Sequence, residues 1–398
     1  MRNLFATIIV FAGCLLLSSC KESYDPPVIA ATDQYLIIEG TLNNGGITTI
    51  QLSRSRPLND PIEKPELKAA VSIESDKGQK TALVDAGKGH YTGQVNVNKA
   101  DKYRLTIKTS NGKEYLSDFV PVLETPPIDE VTWKKNEDGL VISVNTHDPK
   151  NSTRSYRWGY EETWLREISI RSYLEYVNGA MRRRATPTNN VCYDSFSATP
   201  LALASTLKLT NDVVSQAPVN LIPKNSEKLS NKYSINVKQY ALDEDAYEYW
   251  QAMKKNTEAL GSIFDPQPSY MYGNIRSVSN PKEMVIGYFG ACNVTEKRIF
   301  LTPIETQWVI YVPPPGNSPP PPDPCEVKSV IESKPERQAA FFASYFGNQT
   351  GQKSWTALEE IWDTNDNGQT FFFIGYTAVE KFTCADCGPN YIKPGWWK

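Results

Sequence analysis

The chain has 398 residues and a formal net charge of −3 at pH 7. It is too long for one hydrophobic core, and its mild, mixed charge indicates neither nucleic acid nor an anionic surface as a partner. The only two histidines, His90 and His147, fall in different predicted domains, which does not favour a histidine-dependent hydrolase or a zinc peptidase. The sequence carries no nucleophile elbow, P-loop or dinucleotide fingerprint, so we expect no enzyme and no cofactor.

The first twenty residues carry the pattern of a bacterial lipoprotein signal. Arg2 gives a positive start, an apolar run covers residues 4–17, and the small residues Ser18-Ser19 precede Cys20. We predict that residues 1–19 are a signal peptide and that Cys20 receives a diacylglycerol and a further acyl chain such as palmitate. An ordinary secretory signal and a membrane span are the alternatives, but a span needs about 20 apolar residues.

Residues 20–32 are predicted to form a polar tether behind this anchor. Lys21 and Glu22, directly after the cysteine, resemble the surface-export signal of Bacteroidota lipoproteins. Several acyl chains on one residue anchor a protein more firmly than a single chain does. We therefore expect a protein that is lipid-anchored in the outer membrane and faces the cell surface.

Residues 33–123 contain short runs of alternating polar and apolar residues, which is the pattern of strands with one buried face. Turn signals at Asp76-Lys77-Gly78 and Ser110-Asn111-Gly112-Lys113 favour hairpins. No helical pattern lies between the runs, so we predict a β-sandwich of the immunoglobulin-like or transthyretin-like type. The runs are Tyr35-Leu36-Ile37-Ile38-Glu39, Thr49-Ile50-Gln51-Leu52-Ser53, Ala70-Val71-Ser72-Ile73-Glu74 and Tyr103-Arg104-Leu105-Thr106-Ile107.

A second region is predicted to follow the Pro126-Pro127 linker and to cover residues 128–398, as one domain or two. All nine tryptophans lie in it. Asn178-Gly179 predicts a type I′ hairpin between residues 167–177 and 181–186. Capping and first-turn residues predict helices near 243–260 and 335–346. The chain is therefore predicted to be mainly β, with a larger β-rich second region that holds one or two inserted helices.

Five cysteines remain in the predicted mature chain beyond the lipidation site. They are Cys192, Cys292, Cys325, Cys384 and Cys387. An exported chain meets an oxidising compartment, so we predict two disulfides, which tie Cys325 and Cys192 to the Cys384/Cys387 pair. Cys292, beside an apolar run, is predicted to be the free thiol. The CxxC spacing leaves a metal or redox site as alternatives, but zinc needs a second matching pair and a thioredoxin-type site needs a following helix.

The segment that starts at Asp363 matches the beginning of a calcium-binding loop. Asp363, Asn365 and Asn367 would supply hard oxygen ligands, and Gly368 stands at the position of the sharp turn. The twelfth position is Ile374, where the ion needs a bidentate glutamate. We therefore expect a polar hairpin turn and no metal, with calcium as the weaker alternative.

Paired carboxylates can indicate a glycosidase, and Glu161-Glu162 is the candidate pair in this chain. Neighbouring side chains on a strand point to opposite faces, so these two carboxylates cannot converge on one substrate. We predict structural ion pairs for both. The basic run Arg182-Arg183-Arg184 is interpreted as protection of an exposed sheet edge, with an anionic-ligand site as the alternative.

Several segments, taken in order, resemble the Bacteroidota lipoproteins of the family called domain of unknown function 4249. The resemblance implies an outer-membrane lipoprotein, often encoded beside a TonB-dependent transporter of the starch-utilisation type. It implies no established activity and supplies no catalytic residues. Cys292 lies outside the family pattern, which supports a free thiol there. The segments are the lipobox with Tyr24-Asp25-Pro26-Pro27, residues 37–40 and 51–55, Tyr156-Arg157-Trp158, Glu162-Thr163-Trp164, and residues 261–268, 273–275, 287–289 and 393–397.

We therefore hypothesise a non-enzymatic lipoprotein that is accessory to a TonB-dependent transporter in the capture or uptake of a small molecule or glycan. A stand-alone glycan- or protein-binding adhesin is the alternative, and it would bind through exposed aromatic side chains. A cryptic hydrolase is the remote alternative. It requires carboxylates from separate segments, such as Glu162 and Asp265, to meet in one cleft.

Overall fold

The computed structural model describes residues 35–57, 60, 62–168, 170–178, 180–258, 273–309, 328–331, 335–346, 356–364, 370–379 and 393–397. The predicted signal peptide, the lipidation site Cys20 and the tether lie outside these ranges. The described part of the chain is mainly β with few helices, which confirms the predicted fold class. No described helix has both the length and the apolar character that crossing a membrane requires.

The described elements follow one another in chain order. The first nine strands are β1 Leu36–Asn43, β2 Ile47–Arg54, β3 Ala70–Ser75, β4 Lys80–Ala82, β5 Val84–Gly87, β6 His90–Gln94, β7 Lys102–Lys108, β8 Glu114–Ser117 and β9 Val120–Pro121. The next eight are β10 Ile128–Lys135, β11 Gly139–Asp148, β12 Ser155–Glu167, β13 Leu174–Val177, β14 Ala180–Arg183, β15 Val191–Ser205, β16 Asp212–Pro223 and β17 Tyr233–Leu242.

The remaining described elements include the helices. The strands are β18 Ile275–Ser277, β19 Val285–Gly287, β20 Gly290–Cys292, β21 Thr295–Leu301, β22 Lys328–Ile331, β23 Thr356–Thr364 and β24 Thr370–Val379. The α-helices are α1 Glu244–Glu258, the four-residue α2 Pro303–Thr306 and α3 Pro335–Phe346, and a single 3-10 turn covers Glu227–Leu229 in the described part of the chain. Helices α1 and α3 lie where the sequence predicts helices near 243–260 and 335–346.

Two six-stranded sheets form the first sandwich. One has the order β19-β1-β2-β6-β5, with β20 also paired to β1, and the other has the order β18-β8-β7-β3-β4, with β9 also paired to β7. Alternate residues point into the core between the sheets, so β2 buries Ile50 and Leu52 and β7 buries Tyr103 and Leu105. This alternation is the property by which the sequence predicts these strands.

The first sandwich also contains strands from far along the chain, which the predicted boundary at residue 123 does not include. Strand β19 pairs parallel with β1, where Val285 lies opposite Leu36, and β18 pairs antiparallel with β8. Val285 and Phe289 are buried in the core of this sandwich. A parallel pair needs a long crossover connection, and much of the second region supplies it. Three-residue strands show too little alternation for the sequence to assign them to a sheet.

Gly287, in β19, should not tolerate a side chain. Its φ is +145°, and an added Cβ would lie 2.3 Å from the carbonyl oxygen of Ile38 in β1. We expect Gly287→Ala to lower the free energy of unfolding by about 2 kcal/mol. Gly290 in β20 is the matched control, because an added Cβ there meets nothing within 4 Å. Urea unfolding followed by far-UV circular dichroism tests this, and equal midpoints for the two variants would contradict it.

The second sandwich packs the sheet β10-β11-β16 against the sheet β15-β12-β17-β21. Its core contains Ile142, Tyr156, Trp158 and Ile235. The indole N–H of Trp158 donates to the side-chain oxygen of Gln239 at 2.8 Å, which satisfies the polar atom of a buried ring. The structure also contains the two-stranded sheet β13-β14 and the three-stranded sheet β22-β24-β23.

The hairpin at Asn178 is shorter than predicted. Val177 pairs with Ala180 across a two-residue loop, and Asn178 has a φ of +52°, which a type I′ turn requires. The first predicted strand of the hairpin is wrong at its start, because Glu167 belongs to the long strand β12 and pairs there with Val191. No strong turn signal separates β12 from β13, so the sequence pattern predicts one continuous strand there.

Candidate functional site

Strand β12 places an arginine on the face of the second sandwich that points away from its core. Tyr156 and Trp158 point into the core, so the alternation of the strand directs Arg157 to the opposite face. Helix α1 and the first sandwich cover that face. Arg157 is therefore only 8% exposed, although it carries a charge. The order of residues in β12 buries a cation where two sandwiches and a helix meet.

A partly enclosed pocket lies at this junction. One wall comes from β1, β9 and β20 of the first sandwich and includes Thr41 and Gly290. The end of β17 supplies Tyr240, α1 supplies Trp250, and β12 supplies Arg157. The enclosed part has room for about one water molecule, so it suits a small polar group or the end of a longer ligand. Junctions between domains are frequent places for ligand sites.

The guanidinium of Arg157 contacts aromatic rings and has no hydrogen bond to any of the described residues. Its Cζ lies 4.3 Å from the ring centroid of Trp250 and 5.0 Å from that of Tyr240, its cross-strand neighbour in β17. Its Nε has no hydrogen-bond partner, and it forms no ion pair within the part of the chain that the structure describes. Burial lowers the pKa of Arg157, because the loss of water disfavours the charged form. Cation–π contacts offset part of that loss but accept no hydrogen bond from the fork of N–H groups.

Asp243 puts a negative charge on the same pocket and starts helix α1. Its Oδ1 accepts a hydrogen bond from the backbone N–H of Ala246 at 2.8 Å, and Glu244 and Asp245 follow in the first turn. The hydroxyl of Tyr288 donates to the same oxygen at 3.4 Å. The pocket is therefore lined by one cation and one carboxylate, and the carboxylate already holds two donors.

Two tyrosines and a cysteine around the pocket are neutral. The ring of Tyr249 lies 5.2 Å from Trp250 and 5.5 Å from Tyr288, centroid to centroid. Burial raises the pKa of Tyr249 to about 12 and also raises that of Tyr288, so both hydroxyls stay protonated at neutral pH. Cys292, for which the sequence predicts a free thiol, is free and buried. Burial raises its pKa, so this thiol is neutral and acts as a small apolar group.

Of the remaining predicted cysteine sites, the structure describes Cys192 alone. Cys192, in β15, is disulfide-bonded, and its partner lies outside the described residues. Cys20, Cys325, Cys384 and Cys387 also lie outside them. Acylation of Cys20 and the pairing of the other cysteines therefore stay predictions.

The calcium-loop candidate falls at a connection between two strands. Asp363 lies in β23, opposite Phe372 of β24, and Thr364 lies opposite Thr370. Asn365 and Asn367 lie outside the described residues. The predicted polar hairpin turn therefore stays a prediction. Among the described residues, no group of three or more histidine, cysteine, aspartate or glutamate side chains could hold a metal ion.

The adjacent carboxylates of β12 point in opposite directions, as the alternation predicts. Glu162 is 1% exposed, accepts a hydrogen bond from the hydroxyl of Tyr233 at 2.8 Å and forms an ion pair with Lys228. Glu161 is 43% exposed and forms an ion pair with Lys238. Asp265 lies outside the described residues, so its approach to Glu162 stays untested.

The basic run is paired with acidic residues. Glu175, in the neighbouring strand β13, holds Arg182 at 2.7 Å and Arg184 at 3.6 Å, which places both arginines on one face. Arg183 lies 3.7 Å from Glu360 in β23. These guanidinium groups differ from that of Arg157, which contacts aromatic rings and forms no ion pair among the described residues.

Sequence reasoning missed Arg157 as a functional candidate. One signal was present: a charged residue between Tyr156 and Trp158 in a buried strand has to find a partner or a ligand. The covering walls could not be predicted, because Thr41, Tyr240 and Gly290 come from widely separated segments.

Comparison with known proteins relates the chain to one family. The family described as Domain of unknown function (DUF4249) matches residues 21–298. No curated protein matches. A two-domain fibronectin type-III segment of chicken tenascin is 12% identical, with 53% of this chain and 93% of that chain covered and a TM-score of 0.16. A Corynebacterium diphtheriae protein described as membrane anchored is 11% identical, with 53% and 55% covered and a TM-score of 0.17. Likenesses at these TM-scores support no statement about function.

Proposed function

The chain belongs to the DUF4249 family, and on this premise we propose that it is a non-enzymatic, lipid-anchored outer-membrane lipoprotein that captures a ligand for a TonB-dependent transporter. The lipobox at Cys20 supports the anchor. The single observation that carries ligand capture is the buried guanidinium of Arg157 in the pocket between the two sandwiches, whose Nε has no hydrogen-bond partner among the described residues. A pocket with aromatic walls and few polar groups is the usual form of a small-molecule site.

The contrast with other buried charges supports a binding role for this group. Glu162 is more deeply buried than Arg157, but it has Lys228 and Tyr233 as partners. A buried charge without such partners is destabilising, and an oppositely charged ligand would offset that cost. The free cation is therefore interpreted as half of a binding interaction.

The position of the pocket suits capture close to a membrane. The predicted tether of residues 20–32 would reach at most about 45 Å from the bilayer when fully extended. The first described strand, β1, supplies Thr41 to the pocket. A ligand held there would lie near the mouth of a transporter in the same membrane.

Exposed aromatic side chains favour a second candidate function, a stand-alone glycan- or protein-binding adhesin. Phe196 is 51% exposed, Trp396 41% and Trp133 37%, and none of them lines the Arg157 pocket. Scattered exposed aromatics are common on proteins, whereas a buried unpaired arginine is rare. Ligand capture through Arg157 is therefore the stronger proposal.

The partner is tested by gentle detergent extraction of the tagged, full-length protein from native outer membranes, followed by mass spectrometry of what co-purifies. We expect a TonB-dependent transporter in stoichiometric amount. As a control, Trp396→Ala changes an exposed side chain outside the pocket and should leave the yield of transporter unchanged. Recovery of the lipoprotein without any transporter would overturn the accessory role and favour the adhesin.

A further inference from the structure

We propose that the pocket between the two sandwiches binds the carboxylate group of its ligand on the guanidinium of Arg157. The inference rests on the proposed function, because it names the chemistry of the ligand that the lipoprotein captures. The group bound is a single carboxylate, either that of a small organic acid or that at the end of a longer molecule such as a peptide. The pocket then recognises the end of the ligand, and the remainder extends toward solvent.

The need for an acceptor follows from the state of Arg157. Its side chain is more than nine-tenths buried, its Nε lacks a hydrogen-bond partner, and it lines the pocket. Arginine presents five N–H donors in a rigid plane and accepts nothing. Trp250 and Tyr240 contact the guanidinium through their ring faces, and ring faces are not strong hydrogen-bond acceptors. An anionic oxygen in the pocket would satisfy both the donors and the charge.

The shape of the group favours carboxylate over a larger oxyanion. A carboxylate is planar and meets the arginine fork through two parallel hydrogen bonds. The enclosed part of the pocket is small, with room for about one water molecule. A tetrahedral phosphate or sulfate would have to place two further oxygens against the neighbouring aromatic and backbone walls.

The surrounding charges favour a monoanion. Asp243 lines the same pocket, and Glu39, in β1, is close enough to interact electrostatically with Arg157. Two nearby carboxylates repel a phosphate dianion more strongly than a single carboxylate, because repulsion grows with the ligand's charge. Asp243 also keeps its own donors, the Ala246 N–H and the Tyr288 hydroxyl, so it does not neutralise Arg157.

The direct test is calorimetric titration of the mature, lipid-anchored protein, purified in detergent. The probes are sodium acetate, a short peptide with a free C-terminus, the same peptide with a C-terminal amide, and inorganic phosphate. We expect saturable binding of acetate or of the free-carboxyl peptide, and at least about 30-fold weaker binding of the amide and of phosphate. The better of the two carboxylate probes tells whether a small acid or a chain end is the preferred source.

Two variants assign that binding to the guanidinium. Arg157→Met keeps an unbranched apolar stem against Trp250 but removes the charge, and it should weaken carboxylate binding by about 30-fold or more. Arg157→Lys keeps the charge without the planar fork and should give intermediate affinity. Arg298→Met is the matched control, since the Cζ of Arg298 also lies over a tryptophan, 3.6 Å from the ring centroid of Trp396, but outside the pocket. It should bind the probe like the unchanged protein.

Thermal unfolding without probe separates binding from folding. Arg157→Met should melt no lower than Arg298→Met, because it removes an unpaired buried charge. A purely structural role for Arg157 predicts the opposite, a lower melting temperature together with no probe binding by the unchanged protein. That pair of results would overturn the inference.

Further results would overturn carboxylate binding at Arg157, whether or not a transporter is the partner of this protein. Binding of phosphate as tight as that of carboxylate, or unchanged carboxylate binding in Arg157→Met, would each rule out the proposed recognition. Transporter recovery without any carboxylate binding would sink this inference and leave the proposed partner standing. Carboxylate binding without recovery of a transporter would overturn the proposed partner and support this inference.

Discussion

Replacing Glu162 by alanine should lower the free energy of unfolding by about 3 kcal/mol. The Glu162 carboxylate is 1% exposed and is the acceptor for the hydroxyl of Tyr233, which is itself completely buried. Its removal leaves that hydroxyl without its acceptor and takes the counter-charge from Lys228. This decrease in the free energy of unfolding is smaller than the largest values for broken buried ion pairs, because Lys228 is 30% exposed and can turn toward water.

Glu161 is the matched control for this prediction. It is the same residue type in the same strand, and its own partner is also a lysine, Lys238. Because Glu161 is 43% exposed, water already solvates its carboxylate, and Glu161→Ala should change stability by less than about 1 kcal/mol.

The measurement is urea unfolding followed by tryptophan fluorescence. All nine tryptophans lie beyond residue 132. The ring centroid of Trp164 lies 4.7 Å from the Nζ of Lys228. The signal therefore reports on the region that contains both glutamates. Equal unfolding midpoints for Glu161→Ala and Glu162→Ala would mean that the burial of Glu162 contributes nothing to stability.

The opposite environments of these glutamates were predictable from the sequence, and so was much of the fold. A period of two fixes which face a side chain takes, so β2, β7 and β12 could be read from their apolar positions. Helix α1 was predictable because Asp243 can accept from a free N–H and its first turn is acidic. These are interactions between residues close in sequence, and one chain is enough to show them.

Pairing between distant segments could not be predicted in the same way. Strand β19 has three residues, and nothing in them specifies Leu36 as the partner of Val285. This pairing also helps to form the candidate site, because β20 follows β19 and places Gly290 in the pocket wall. Arg157 could be assigned to a strand, but whether its face met water, a helix or another domain depended on that unpredicted pairing.

Lipidation at Cys20 should decide where the protein resides. We expect cells fed a palmitate analogue to label the unchanged protein, and Cys20→Ser to abolish labelling, because serine has no thiol to accept the diacylglycerol. The matched control is Cys14→Ser, which makes the same exchange inside the predicted signal peptide and should leave labelling unchanged. Mass spectrometry of the mature N-terminus should then find acylated Cys20 as the first residue.

Loss of the acyl chains should release the protein from the membrane. Each buried methylene contributes about 0.8 kcal/mol, so several chains on one residue hold the protein far more firmly than one chain holds it. To avoid retention by an uncut signal, Cys20→Ser is best placed behind an ordinary cleavable secretory signal. We expect this variant in the wash fraction and the unchanged protein in the outer-membrane fraction. Labelled protein after Cys20→Ser, or equal membrane retention of both forms, would show that the anchor lies elsewhere, and capture beside a transporter would then need another means of attachment.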